Sequence, residues 1–264
     1  MPYAYGLAKY YGYANNYTTT THPSLPNYIA IAAGKTYGIT DNKYPSAHQL
    51  TGHSVFGQAI AAGKTAAIYA DGMPSNCALT NGGTAYVTKH NLWTYFVDKR
   101  ALCKQFDVPL GTLGTVIANG RLPNVAMVVP NLNHDAHDGS LAAADAWFKR
   151  WMTRIFAGPD WNSGRPAIVL TADEDNRLSR NKVLTIVIHR SQKAKVVSTA
   201  LTHYSLTRLY DEVAGTKYLR SAATAPSMSK AFGLPIGPGA TVTRTVVTAT
   251  GQRMMTAGMT ALVD

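Results

Sequence analysis

The sequence predicts an α/β fold in which a mostly parallel central sheet is sandwiched by helices. Three observations predict it: short continuous apolar runs, amphipathic stretches between those runs, and a length of 264 residues. Continuous apolar runs are typical of strands covered on both faces, and the length suits one large domain. Alternation of strands and helices favours parallel pairing. The predicted strands span residues 65–70, 124–129, 167–171 and 183–188.

Helices are predicted between these strands. One helix covers residues 25–33 and begins at Ser24. A second is capped by Ser140, carries large apolar residues four apart through residue 155, and ends before a Gly-Pro pair. A third covers residues 204–213. Since ligands of open α/β sheets bind beyond the carboxyl ends of the strands, the candidate functional residues are sought there.

Composition limits the function classes. A hydrophobic content of 46% excludes a disordered protein, and the net charge of +11 favours anionic partners. The basic residues are scattered and do not alternate with aromatic residues, which disfavours a nucleic-acid-binding protein. No apolar run reaches the ~18 residues of a membrane-spanning helix. No leader segment is visible, which leaves two interpretations: a cytoplasmic protein, or a chain whose natural start lies upstream.

The amino-acid composition changes at one place along the chain. Residues 1–236 form the predicted domain, and residues 237–264, which are rich in Thr and Val, form a tail or an extra hairpin. The chain has two cysteines, Cys77 and Cys103. Their spacing allows either one disulfide or two buried thiols, and the residues alone do not choose between them.

The first candidate for chemistry is the segment from His22 to Tyr28, HPSLPNY. Ser24 stands at a predicted helix N-terminus, where free N–H groups and the helix dipole favour a phosphoryl group. A serine there could attack phosphorus if a metal or a base lowers its pKa. The alternative is structural, because serine is a favoured N-cap residue.

Acidic residues and histidines follow the predicted strands. Asp173, Glu174 and Asp175 come directly after the strand at 167–171, and three adjacent acids favour a metal site, with a solvated turn as the alternative. The loop at 130–139 holds two Asn, two His and two Asp, a dense set of ligand types or simply a polar loop. Two further histidines, His90 and His203, are candidates, although a lone histidine more often has a structural role.

Several segments together resemble the phosphoesterase family of the alkaline phosphatase superfamily, and in particular secreted bacterial acid phosphatases and phosphatidylinositol 3-phosphate phosphatases. Phospholipases C belong to the same family. The resemblance runs from about residue 1 to about residue 235. The segments that carry it are HPSLPNYIAIAAG, GITDN, NCALT, PNLNHDAHDGS, DAWF, TADEDN and THYSLTRLYDEV.

The resemblance implies a role for each candidate. Ser24 would form a phosphoserine intermediate, with Asn42 and His90 acting beside it on the substrate. A divalent metal ion, of a kind the sequence does not identify, would be held by carboxylates and histidines. The implied ligands are Asp173, Glu174, His137, His203 and Asp135. The implied substrate-binding residues are His22, Asn27 and Asn133.

The resemblance also implies the reaction and the compartment. The expected function is hydrolysis of phosphate monoesters, either small phosphorylated molecules or phosphoinositides. The alternatives are a phosphodiesterase of the phospholipase C type, or an impaired member that only binds phosphate or anionic surfaces. Because the family is mostly exported, a secreted, periplasmic or cell-surface location and a Cys77–Cys103 disulfide are expected.

The chain departs from the family pattern at two points. Members begin with a buried strand that ends in Glu-Asn, and the acid of that pair binds the metal. No such strand precedes His22 here, so the sheet is expected to lack the family's first strand. Members often have Asn-Asp before the His-Asp-Gly step, and here the Asn is replaced by His134.

Overall fold

A computed structural model describes residues 1–236 of the chain, together with two short strands further on. The helices alternate with strands along the first 236 residues, as the sequence predicts. They are α1 (Pro2–Tyr10), α2 (Ser24–Ala33), α3 (Val55–Ala61), α4 (Arg100–Phe106), α5 (Leu113–Ala118), α6 (Leu141–Ala157), α7 (Pro159–Ser163), α8 (His203–Ala214) and α9 (Met228–Phe232).

Within residues 1–236 the strands form a three-stranded sheet, a four-stranded sheet and a two-stranded pair. Their bounds are β1 (Gly12–Ala14), β2 (Tyr17–Thr18), β3 (Ala66–Ala70), β4 (Asp107–Pro109), β5 (Val125–Val129), β6 (Ile168–Leu170), β7 (Thr185–Ile188), β8 (Lys195–Val197) and β9 (Leu201–Thr202). The first sheet has the order β4-β3-β5 and is fully parallel. The second has the order β6-β7-β1-β8, and β2 pairs with β9 in parallel. The fold is therefore a mixed α/β fold, and all four predicted strands are present.

One strand does not run in the predicted direction. β7 is antiparallel to both of its neighbours, β6 and β1, whereas the apolar run at 183–188 suggested a parallel strand. The reason is the connection: the residues between β6 and β7 contain no helix. Without a crossover helix, consecutive neighbouring strands pair antiparallel.

Helices cover both faces of the sheets. One apolar cluster joins α1 and α6 to Tyr69 of β3 and Ile186 of β7. Two further clusters lie on the other side and join α2 and α8 to Ile68 of β3 and Val187 of β7. Successive residues of a strand thus pack into opposite layers, which is why these strands are apolar without interruption.

The helix ends agree with the sequence signals. The Ser140 side chain accepts a hydrogen bond from the Ala143 N–H at 3.1 Å and caps α6, whose last residue is followed by Gly158. The side chains of Thr202 and Ser205 form a capping box at the start of α8. These caps fix the start of α6, which follows the histidine-rich loop, and the start of α8.

Cys77 and Cys103 form a disulfide, with their Cα atoms 5.3 Å apart, which confirms the pairing that the family resemblance implied. The predicted tail at 237–264 lies outside the described residues, apart from the strands β10 (Thr245–Val247) and β11 (Arg253–Met255), which pair antiparallel. Among the described residues, no helix combines the length and apolarity that crossing a bilayer requires.

Candidate active site

Ser24 is the first residue of α2 and is 3% exposed. Its Oγ donates a hydrogen bond to Oε1 of Glu174 at 3.2 Å. Glu174 lies in the loop directly after β6, so the carboxyl end of that strand brings the acid to the helix N-terminus. The structure therefore joins the predicted nucleophile to one of the predicted acids.

His22 holds this acidic loop in place. Its Nδ1 lies 2.6 Å from Oε2 of Glu174, and its Nε2 lies 2.8 Å from Oδ1 of Asp175. Both ring nitrogens thus lie close to carboxylates, and the contact of Nε2 with Asp175 is a hydrogen bond. His22 was predicted to bind substrate, and in the structure it contacts the acids that flank Ser24.

Asp173 lies in the same pocket as Ser24. Burial, reinforced by the charge of Glu174, raises the pKa of Asp173 to about 6. Its Oδ2 is buried and accepts no hydrogen bond from the described residues. A buried carboxylate oxygen without a partner is costly, so the site has unmet capacity for a proton or a cation.

Asp135 and His90 line the same pocket as Ser24 and Asp173. Nδ1 of His90 lies 3.9 Å from Oδ2 of Asp135, and neither atom has a hydrogen-bond partner among the described residues. Burial lowers the pKa of His90 to about 3 and raises the pKa of Asp135. The imidazole is therefore neutral, and it stacks on the ring of Tyr28 with the centroids 5.0 Å apart.

Tyr28 lies in the pocket within the electrostatic influence of both groups of acids. Burial raises its pKa well above the usual value, and the charges of Asp173, Asp135 and Glu174 add to this effect. Its hydroxyl therefore stays protonated among three carboxylates. Sequence reasoning gave Tyr28 no role, although its position four residues after Ser24 places it on the same face of α2.

Two asparagines near Ser24 in the structure, Asn42 and Asn27, have different roles. Oδ1 of Asn42 accepts a hydrogen bond from the Leu25 N–H at 3.0 Å. Among the described residues, none accepts a hydrogen bond from the amide N–H groups of Asn42. Asn27 is fully buried and serves the preceding loop: Oδ1 accepts from the N–H groups of Thr20 and Thr21. Asn27 therefore shapes the approach to α2 and does not line the pocket.

The histidine-rich loop contributes less than predicted. His137 is exposed at the pocket edge, and its Nδ1 lies 2.6 Å from Oδ1 of Asp138. Asn133 is exposed and lies outside the pocket lining. His134 faces the pocket, and its Nδ1 lies 2.8 Å from Oδ2 of Asp71.

Asp71 was not singled out from the sequence. It directly follows β3, and its Oδ2 also accepts the indole N–H of Trp147 at 3.0 Å. The signal was available, because an acid at the carboxyl end of a predicted strand meets the same positional criterion as Asp173.

His203 is fully buried, and both of its ring nitrogens are occupied. Nδ1 lies 2.9 Å from Oη of Tyr17, and Nε2 lies 2.7 Å from the backbone oxygen of Asp173. Burial lowers its pKa to about 4. In the structure His203 positions the acidic loop through its backbone, so its predicted role as a metal ligand would require a rearrangement.

The predicted metal ligands do not close into a compact cage. Within the described part of the chain, one set of three acidic, histidine or cysteine residues has ligand atoms within 4.8 Å of one another: Cys77, Cys103 and Asp107. Its two sulfurs are bonded to each other, so this set is no metal site. The predicted ligands around Ser24 are spread more widely.

The sequence matches the model of the phosphoesterase family over residues 1–215. It is 29% identical over 217 residues to a phosphatidylinositol-3-phosphatase of Mycobacterium tuberculosis, covering 81% of this chain and 69% of that protein. It is 27% identical to an acid phosphatase of Aspergillus fumigatus, covering 72% of this chain and 45% of that protein. The chain thus spans less than half the length of the Aspergillus relative.

Solved structures share the fold at low identity. The PsFucS1 sulfatase from Pseudoalteromonas superposes with a TM-score of 0.52 at 8% identity, covering 88% of this chain and 66% of that one. The structure of Ps i-CgsB gives a TM-score of 0.53 at 10% identity, covering 87% of this chain and 69% of that one. At such identities the likeness concerns the fold alone. The family match over residues 1–215 decides the assignment: the chain belongs to the phosphoesterase family, a family of phosphoric ester hydrolases.

Proposed function

We propose that the protein hydrolyses phosphate monoesters through a phosphoserine intermediate on Ser24. The observation that supports this most directly is the hydrogen bond from Ser24 Oγ to Glu174 at the start of α2. It places a hydroxyl, a proton acceptor and a helix N-terminus together, which are the parts that attack on phosphorus requires. The names of the Mycobacterium and Aspergillus relatives support the same substrate class.

The proposed reaction has two displacements. In the first, Glu174 accepts the Ser24 proton, the serine oxygen bonds to phosphorus, the ester P–O bond breaks, and the leaving alkoxide takes a proton from solvent and departs as the alcohol. In the second, a water oxygen bonds to the phosphorus of phosphoserine and gives up a proton to solvent. The bond between phosphorus and the Ser24 oxygen breaks, Glu174 returns its proton to that oxygen, and inorganic phosphate is released.

Other residues hold the groups in place. Asn42 presents free amide N–H groups beside the first turn of α2, where they can donate to a phosphoryl oxygen. His22 keeps both Glu174 oxygens oriented, one towards itself and one towards Ser24. The neutral ring of His90, stacked on Tyr28, forms part of the wall of the pocket and can contact the substrate.

The site fits a divalent metal ion in its chemistry. Oδ2 of Asp173 and Oδ2 of Asp135 are buried without hydrogen-bond partners and belong to one pocket lining. Carboxylate oxygens suit hard cations, and neighbouring histidines widen the choice to transition metals. We propose Asp173, Glu174 and Asp135 as ligands, with His137 completing the set after a movement of its exposed side chain. A bound cation would neutralise charge on the phosphoryl group and lower the pKa of the serine hydroxyl.

We also propose features of the fold and the setting. The sheet is alkaline phosphatase-like, and the family's first strand has no counterpart among β1 to β9. The disulfide supports a location outside the reducing cytosol. The net charge of +11 supports binding to anionic membrane surfaces, where a phosphoinositide substrate would reside.

The test is release of phosphate from an aryl phosphate, with a panel of divalent metals and with a chelator. Ser24→Ala is expected to abolish turnover, whereas the exposed-serine control Ser75→Ala keeps it. Trapping of radiolabelled phosphate on the wild type and not on Ser24→Ala would mark the intermediate. Turnover that survives in Ser24→Ala contradicts the proposal, and a preference for a bis-aryl diester would favour the phosphodiesterase alternative.

A further inference from the structure

The loop that follows the acidic residues of the site has three positive charges. Residues 176–182 have the sequence NRLSRNK, with cations at Arg177, Arg180 and Lys182 and no acid. All three cations are exposed, and none of them has an ion-pair partner among the described residues. Surface cations without acidic partners create a positive potential, which attracts a polyanionic surface. We name residues 176–182 the basic loop.

The basic loop also exposes a large apolar side chain. Leu178 is 84% exposed, the largest exposed fraction among the large apolar side chains of the described residues. By comparison, Leu141 is 58% exposed and Leu184 is 49% exposed. A leucine gains free energy when it leaves water for an apolar medium, and this one stands between two arginines. Cations that flank an exposed aliphatic side chain are typical of segments that bind lipid headgroups and enter the acyl boundary.

Hydrogen bonds hold the basic loop in a defined shape. The Ser179 N–H donates to Oδ2 of Asp175 at 2.7 Å, and the Lys182 N–H donates to the Ser179 oxygen at 3.0 Å. The end of the loop is tied to the segment after β2, because the Thr19 N–H donates to the Asn181 oxygen at 2.8 Å. A loop that is fixed at both ends loses little conformational freedom when a partner binds, so ordering it costs little affinity.

The basic loop borders the candidate active site. Oδ1 of Asp175, the acid to which the loop is tied, lies 2.8 Å from Nε2 of His22. The residue before it, Glu174, accepts the hydrogen bond of Ser24. Leu178 therefore follows the acid beside the serine by four positions in the chain. A surface that binds the basic loop is held next to the start of α2.

Two kinds of partner present many phosphates to such a loop: a nucleic acid and an anionic lipid bilayer. Single-stranded nucleic acids are held by aromatic side chains, on which the bases stack, together with cations. The basic loop has no aromatic residue. It has an exposed leucine, for which a bilayer supplies an apolar interior and a nucleic acid does not. The composition of the loop therefore favours the bilayer.

We propose that residues 176–182 dock the protein on an anionic lipid bilayer, with Leu178 entering the acyl boundary and the three cations contacting lipid phosphates. The bilayer is then the source of a phosphorylated lipid that reaches Ser24. This inference deepens the proposed function, because it names the surface through which a monoester in a membrane meets the site. Docking does not require Ser24 to react, so docking and catalysis can fail separately.

The test is co-sedimentation of the full 264-residue chain with vesicles of about four parts phosphatidylcholine to one part phosphatidylserine, beside vesicles of phosphatidylcholine alone. The loop variant combines Arg177→Gln, Leu178→Ser and Arg180→Gln, and it is expected to bind the anionic vesicles about 30-fold more weakly. Ser24→Ala is expected to bind as the unmodified chain does. The loop variant should keep its turnover of a soluble aryl phosphate, whereas its hydrolysis of a phosphoinositide in the anionic vesicles should fall with binding.

The matched control removes the same kinds of side chain from another surface. Lys193, Lys195 and Val196 are exposed around the amino end of β8. β8 runs parallel to β6, because it is parallel to β1 and both β1 and β6 are antiparallel to β7. The amino end of β8 is therefore opposite the strand ends that bear the site. Combined Lys193→Gln, Lys195→Gln and Val196→Ser removes as much charge as the loop variant, and it should weaken vesicle binding by less than about threefold.

Three results would overturn the proposal. The first is binding that the loop variant retains, or loses only as much as the control does, which would assign it to net charge. The second concerns Leu178→Trp, which also serves if the loop variant does not fold: its fluorescence should shift to the blue with anionic vesicles by more than that of wild type, and an equal shift would place the side chain in water. The third is retention of a single-stranded RNA oligonucleotide that depends on both arginines, without vesicle binding.

Discussion

The Nδ1 atom of His22 lies 2.6 Å from Oε2 of Glu174, the carboxylate whose other oxygen accepts the hydrogen bond from the Ser24 hydroxyl. One acid thus bridges a histidine and the serine at the start of α2. Because this imidazole lies against one oxygen of Glu174 while the other oxygen accepts from Ser24, we expect the orientation of the carboxylate beside Ser24 to depend on His22. The relationship yields two separable predictions.

Replacing Glu174 is expected to affect chemistry most. Glu174→Gln removes the acceptor of the Ser24 proton while conserving size, and we expect kcat for an aryl phosphate to fall about 100-fold or more. Steady-state kinetics with circular dichroism as a folding check would measure it. The exposed acid Asp98 provides the control, since Asp98→Asn should leave kcat unchanged. A kcat within twofold of wild type in Glu174→Gln would remove Glu174 from the mechanism.

Replacing His22 is expected to have a smaller and different effect. His22→Ala frees Glu174 and Asp175 to turn, so kcat should fall about tenfold while KM changes little. His22→Asn, which can still donate to Glu174, should recover part of the loss. The exposed His53 is the matched control. A large rise in KM with unchanged kcat would instead indicate that His22 binds substrate directly.

The disulfide is expected to contribute to stability and not to chemistry. It links cysteines 26 residues apart, and closing a loop of this size stabilises the native state by roughly 3 kcal/mol. Cys77→Ser combined with Cys103→Ser should lower the free energy of unfolding in urea by that order, with kcat retained below the unfolding transition. An unchanged urea midpoint in the double variant would show that the disulfide does not stabilise the folded chain by restricting the unfolded one.

Asp107 is expected to make stability depend on pH. Burial raises its pKa from 3.8 to about 7, although Asn91 donates to both carboxylate oxygens. Between these values the folded chain keeps a proton that the unfolded chain has lost. The contribution of Asp107 to stability therefore falls as pH rises through this window.

The measurement compares wild type with Asp107→Asn. The free energy of unfolding of wild type should decline relative to that of the variant from pH 4 to pH 7, by a few kcal/mol at most. Subtracting the variant removes the contribution of other titrating groups. A difference that stays constant over this range, or that grows in favour of wild type, would show that Asp107 is ionised in the folded chain.

Much of the fold was predictable because it depends on local pattern. The apolar runs that became β3, β5, β6 and β7 lie where they were predicted, and so do α2, α6 and α8. The caps at Ser140 and Thr202 are local features as well. The direction of β7 was predicted wrongly, since an apolar run reports burial on two faces and does not report which neighbour the strand meets.

The features of the candidate active site also separate into those set by neighbouring residues and those set by tertiary contacts. The sequence by itself determined that Ser24 begins a helix and that acids follow a strand, because both are properties of neighbouring residues. Only the tertiary structure decided which acid accepts the hydrogen bond of Ser24, that His22 lies against this acid, and that both ring nitrogens of His203 face Tyr17 and the Asp173 backbone. Those contacts join residues about 30 to 190 positions apart in the chain. Such pairs are brought together by the stacking of layers around the sheet, for which local spacing carries no signal.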